Sequence, residues 1–191
     1  MITKVLASVL VLVMMGGAMT LGTNAVFSDA ATLGTNTFQT GSIDISTSPA
    51  SALFTVNAMM PGDSVTQPLT VNNDGSAELR YAVSASATDP DGAALKDQLT
   101  LTIKTVDTTT PGVPCDDFDG TQLYSGDVDG ATGALIGDNS QGAQAGDRVV
   151  AAGAGEVLCF QVGLPLAAGN SAQNASTDAT FTFDAEQTAN N

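Results

Sequence analysis

Apolar and polar residues alternate along most of this chain, and a period of two is what half-buried strands require. Val65, Gln67, Leu69 and Val71 share one face between Ser64 and Asn72, and Leu79, Tyr81, Val83 and Ala85 share one in the next run. Asn72-Asn73-Asp74-Gly75-Ser76 separates the two with residues that tolerate positive φ, so a hairpin is expected there. Leu99, Leu101 and Ile103 form a further one-faced strand, as do Leu158, Phe160, Val162 and Leu164, and finally Phe181, Phe183 and Ala185. Between Phe38 and Ile43 the apolar phase slips by one across Thr40-Gly41, as a β-bulge with an unusually folded Gly would cause, and Ile43 and Ile45 continue that strand. Only Pro90 to Gln98, with Ala93, Ala94 and Leu95, reads as helical, for about two turns at most.

The middle, Thr108 to Gly155, is rich in Gly, Asp, Thr and Ala. Its apolar islands at Leu123-Tyr124, Leu135-Ile136 and Val149-Val150 predict short edge strands in a long loop; disorder is the competing reading. About eight or nine turn-bounded strands with almost no helix predict an all-β fold, an antiparallel jelly-roll-like β-sandwich.

An export signal precedes these strands. Lys4 supplies the positive start, Val5 to Met15 is apolar apart from Ser8, and Thr23-Asn24-Ala25 places small residues where a signal peptidase needs them. Gly16, Gly17 and Thr20 interrupt the apolar run before it reaches a bilayer span of about 20 residues. Residues 1–25 are therefore read as a cleaved signal, cut between Ala25 and Val26, with a retained anchor as the alternative. Of 191 residues, removing 25 leaves 166, enough for one domain over 26–191 with a hydrophobic core. The expected location is outside the cell, secreted or on its surface, with membrane contact only through the signal before cleavage.

The formal charge of −15 becomes −16 without Lys4, since the signal holds no acidic residue. Such a surface repels nucleic acid and anionic membranes alike. A salt-rich habitat, cation binding or plain solubility would each account for the acidity. Cys115 and Cys159 are the only cysteines, and in an exported chain such a pair most simply forms one disulfide.

The chain has no histidine, which removes the commonest general base and, with it, the usual nucleophile pairs and the two-histidine zinc motif. Two thiolates alone do not complete a usual zinc set. Asp116, Asp117 and Asp119 cluster, but there is no Trp to line a sugar cleft and only Tyr81 and Tyr124 as tyrosines. Asp89-Pro90-Asp91-Gly92 and Asp127-Val128-Asp129-Gly130 alternate oxygen ligands around Gly, yet neither completes a calcium loop, so solvated turns are expected, with a weak calcium site as the alternative. Asn174-Ala175-Ser176 fits a glycosylation sequon that chance also produces. No catalytic, metal-binding or cofactor-binding residue is singled out, and no cofactor is expected.

Several segments follow one another in order: Ala25-Val26-Phe27-Ser28-Asp29, Asn36-Thr37-Phe38 with Thr40-Gly41-Ser42-Ile43-Asp44-Ile45, Met60-Pro61-Gly62-Asp63-Ser64-Val65 leading into Leu69-Thr70-Val71, and Asn73-Asp74-Gly75-Ser76 with Leu79-Arg80-Tyr81. In order and spacing they resemble the TasA/camelysin family of exported proteins with SipW-type signal peptides. The resemblance implies a jelly-roll subunit of biofilm-matrix fibres or bundling pili that donates its mature N-terminal strand to a neighbour. The donor here is Val26, Phe27, Ser28, Asp29, Ala30, Ala31, Thr32 and Leu33. An extended peptide adding to an open sheet edge gains backbone bonds, and head-to-tail donation has no closing symmetry, so it makes filaments. The implied partners are further copies of the chain, with other matrix or surface proteins as additional candidates. A monomeric surface adhesive or binding module is the second reading, and a camelysin-like secreted metalloprotease is the third.

Overall fold

The computed structural model describes residues 31–32, 34–106, 113–130 and 133–190. The chain divides into two compact units, Met1–Gln39 and Thr40–Asn191. The described part of the first carries no regular structure, and Asn36 there donates from Nδ2 to the Gly34 carbonyl at 3.1 Å.

Among its described residues the second unit holds eight antiparallel strands: β1 (Ile45–Ser48), β2 (Ser64–Asn73), β3 (Leu79–Thr88), β4 (Thr100–Thr105), β5 (Gln122–Asp127), β6 (Arg148–Val150), β7 (Gly155–Gly163) and β8 (Asp178–Gln187). One sheet has the order β1-β2-β7-β4-β5 and the other β6-β3-β8. Leu69, Val71, Leu101, Ile103, Leu158 and Phe160 from the first meet Leu79, Tyr81 and Val83 from the second in one buried cluster. The alternation therefore marks the inward faces of a two-sheet sandwich.

A jelly roll winds one long hairpin of eight strands so that strand 1 lies beside 8, 2 beside 7, 3 beside 6 and 4 beside 5. Here β2 pairs with β7, β3 with β6 and β4 with β5. The remaining pairing is not made. Instead, β1 adds to β2, with Ile45 opposite Asn73 and Ser48 opposite Thr70, and β8 runs beside β3 over its whole length.

Three local expectations are corrected. The Asn72–Ser76 segment is not a hairpin turn, because β2 and β3 belong to opposite sheets and the segment crosses between them. Buried Asn73 organises the crossing: its Nδ2 donates to the carbonyls of Ala77 (2.8 Å) and Val150 (3.0 Å), and its Oδ1 accepts from Gly75 N (3.0 Å). No strand runs from Phe38 through a bulge at Gly41. β1 starts at Ile45, and Ser42 and Asp44 instead accept from the amides of Ser76 and Asp74 in the crossing. That approach needs Gly75, where a Cβ would lie 2.5 Å from the Ser42 carbonyl oxygen.

Nor is Pro90–Gln98 a helix. Asp89 Oδ1 takes the Lys96 amide and Asp91 Oδ1 the Ala93 amide, both at 2.9 Å, so carboxylates hold donors that a helix would use, and Ala94 turns at φ 56°. The only helical piece among the described residues is the 3-10 turn Asn170–Ala172. The islands of the middle do form strands: Leu123-Tyr124 in β5 and Val149-Val150 in β6, while Ile136 makes a bridge to Val83.

Candidate functional site

β8 is the last strand of its sheet, and among the described residues nothing pairs with its second edge. Phe181, Phe183 and Ala185 point inward, while Thr180, Thr182, Asp184 and Glu186 alternate on the outer face. Phe181 meets Phe160 edge-on at 5.4 Å between ring centroids, and Phe183 lies 6.1 Å from Tyr81. Both phenylalanines nonetheless stay only half-buried. In the other sheet β1 covers β2 only from Thr70 to Asn73, so among the described residues Ser64 to Leu69 lacks a neighbour on that side. Pro68 lies in this bare stretch and brings no amide hydrogen to it.

A cavity of about 1150 Å³ opens where the first jelly-roll strand would lie, lined by Leu69, Leu99, Val162, Leu164, Phe181 and Phe183 among others. Residues 49–61, between β1 and β2, line another side of it. The site is a trough with an apolar floor and polar residues such as Asn57, Asn170, Gln173 and Ser176 around it, beside a strand edge that is unpaired among the described residues. Its chemistry suits an extended peptide, which would bond to β8 through its backbone and bury alternate side chains.

The polar clusters lie elsewhere. Tyr81, Glu156 and Arg148 join the two sheets, with the Glu156 carboxylate accepting from the Tyr81 hydroxyl at 2.8 Å and from Arg148. Burial, and next the Glu156 charge, push the Tyr81 phenol far above its usual range. On the outer face of the smaller sheet, Arg80 lines a pocket of about 60 Å³ with Asp138, Asp147, Asp184 and Glu186. Its Nη2 donates to the Thr188 carbonyl at 2.9 Å, and Glu186 is 3.6 Å from its Nε.

Cys115 and Cys159 are joined in a disulfide with Cα atoms 5.5 Å apart, fixing the loop before β5 against β7. Lys104 fastens the same loop by donating to the Phe118 carbonyl at 2.7 Å, with its ammonium 4.6 Å from the centre of the Phe118 ring. The aspartate turns hold one another and their neighbours. Lys96 pairs with Asp97 and Asp129, Tyr124 donates to the Asp127 carbonyl, and Asp91 Oδ2 accepts from both the amide (2.6 Å) and hydroxyl (3.1 Å) of Ser176. In the sequon Asn174 is exposed at φ 56°. Ala25, Val26 and the expected donor residues Phe27, Ser28, Asp29, Ala30 and Leu33 lie outside the described residues; Ala31 and Thr32 are described and exposed.

Residues 1–111 match the model of a family described as camelysin metallo-endopeptidase. The chain belongs to the camelysin family. The camelysin match takes in β1 to β4 and ends before Cys115, so the disulfide, β5 to β8 and the free edge fall outside it. The family is one of exported proteins. A comparison with curated proteins finds no match.

The metal implied by the camelysin name does not fit the donors present. The chain has no histidine, both thiols are spent in the disulfide, and no group of three or more carboxylates or other ligand residues converges among the described residues. Among those residues no helix is long and apolar enough to cross a membrane.

The sequence reading named β8 as a strand but not as a receiving edge. The available signal was its place as the last strand of a jelly roll, whose partner is the first.

Proposed function

We propose that this protein is a structural subunit of extracellular fibres, biofilm matrix or pili, in which the β8 edge of each copy receives Val26–Leu33 of a neighbour. The supporting observation is the unmade pairing of the jelly roll: seven strands occupy their places, and the place beside β8 opens onto an apolar cavity. Eight extended residues reach about 26 Å, enough to run beside most of ten-residue β8, which spans about 33 Å. The incoming backbone satisfies the edge of β8, and its alternate side chains enter the trough. One donor and one acceptor on each copy propagate head to tail without closure.

Removing Val26–Leu33 from the mature protein and imaging it by electron microscopy tests this reading. The expected result is folded protein without filaments, and unchanged filaments would refute strand donation. The third reading, a camelysin-like secreted metalloprotease, has the family description in its favour. Chelator-sensitive cleavage of casein by pure protein would establish it.

A further inference from the structure

We infer that residues 49–61 are a displaceable strap, filling part of the trough in the free subunit and moving out when a strand arrives; this rests on the reading of β8 as an acceptor. The strap leaves β1 at Pro49 and rejoins β2 after a tight turn in which Asp63 accepts from the Met60 amide at 2.8 Å. Leu53, Phe54 and Met59 are half-buried and pack against the core cluster. They bring the strap to the same cavity as Phe181 and Phe183.

The strap is fastened differently from everything around it. Among the described residues no hydrogen bond ties residues 49–59 to either sheet, whereas β8 is paired with β3 at ten successive positions. Ala58 turns in the left-handed region at φ 58°, a conformation that L side chains disfavour. A segment held by side-chain burial alone opens at lower free energy than a hydrogen-bonded ladder, because its backbone keeps its bonds to water in both states.

An arriving strand alters the balance on both counts. Its backbone gains partners on β8, and its inward side chains replace Leu53 and Phe54 over the same apolar floor. Until then the strap shields the trough and keeps the edge from indiscriminate pairing. Tethered at β1 and β2, it stays with its own subunit after release.

The chain contains no tryptophan, so Phe54→Trp in the mature protein provides a single reporter on the strap. Fluorescence is read during assembly, with hydrogen exchange of residues 178–187 measured on the same samples. Emission moving to longer wavelength while 178–187 gain protection is the expected result. Protection of 178–187 with emission unchanged or moving to shorter wavelength overturns the strap and leaves strand donation standing. Filaments in which 178–187 gain no protection, or no filaments from wild-type protein, overturn strand donation and the strap with it. Wild-type exchange run in parallel separates these outcomes from any failure of the variant to fold.

Discussion

The hydroxyl of Tyr81 on β3 donates to Oε2 of Glu156 on β7 at 2.8 Å, a hydrogen bond that spans the sandwich from one sheet to the other. Arg148 of β6 reaches the same carboxylate, so two residues of the smaller sheet converge on one acceptor of the larger. Tyr81→Phe removes one donor and leaves Glu156 paired with Arg148. The expected loss is about 1.5–3 kcal/mol, a hydrogen bond to a charged group, measured by urea unfolding.

The same contact sets behaviour at high pH. The folded state raises the Tyr81 pKa, by burial first and Glu156 second, so the neutral phenol is favoured. That contribution is complete below the unfolded value of 10.0 and is lost as pH rises above it. Tyr124 is raised as well, by burial and then by Asp127 and Asp129. Tyrosinate absorbance should show Tyr124 ionising while circular dichroism is still native, and Tyr81 ionising only together with unfolding.

Cys115 and Cys159 are 44 residues apart, and opening that loop frees the unfolded chain. The double substitution to Ser should cost about 4 kcal/mol by loop-closure entropy. Thermal unfolding with and without reductant measures it, and the substituted protein should no longer respond to reductant.

Asp91 ties the 89–98 turns to the stretch before β8. Its pKa is lowered by the Ala93 amide first and then by Ser176. A depressed carboxylate stabilises above the ordinary value of 3.8 and loses that effect as pH falls through the folded value. The Ser176 amide resonance should therefore move with acidification below the usual carboxylate range. Asp91→Asn, which keeps an acceptor but not the charge, should abolish that movement.

Phe183 is half-buried at the rim of the trough, so Phe183→Ala should leave the domain folded at a cost of about 2 kcal/mol, below the range for a fully buried ring. Assembly should fall far more than stability does. Electron microscopy beside thermal unfolding separates the two effects.

Strand positions were legible because each inward residue, from Leu69 to Phe183, keeps the same phase through its strand. Sheet membership was not. Val71 and Leu79 show the same alternation whether their strands pair or face each other, and what separates them is Asn73, whose side-chain bonds reach Val150, far along the chain. The helix expected over Pro90–Gln98 followed the residue preference of Ala93, Ala94 and Leu95, and it lost to Asp89 and Asp91, which capture the local amides. The disulfide was legible because only two thiols exist. The edge of β8 that is unpaired among the described residues was not, because an unpaired edge is a property of topology and leaves no mark within the strand's own sequence.

The crossing at Asn73–Ala77 also governs when the chain can fold. Because β2 and β3 part there into different sheets, β2 waits for β7 and β3 for β8, partners some 90 to 100 residues later. Such distant pairing slows folding, since the intervening chain must close before any contact rewards it. The larger sheet cannot be completed until Gly163 is available, nor the smaller until Gln187. The chain therefore commits to its shape late: most of its length must be present before its two longest pairings, β2 with β7 and β3 with β8, can form.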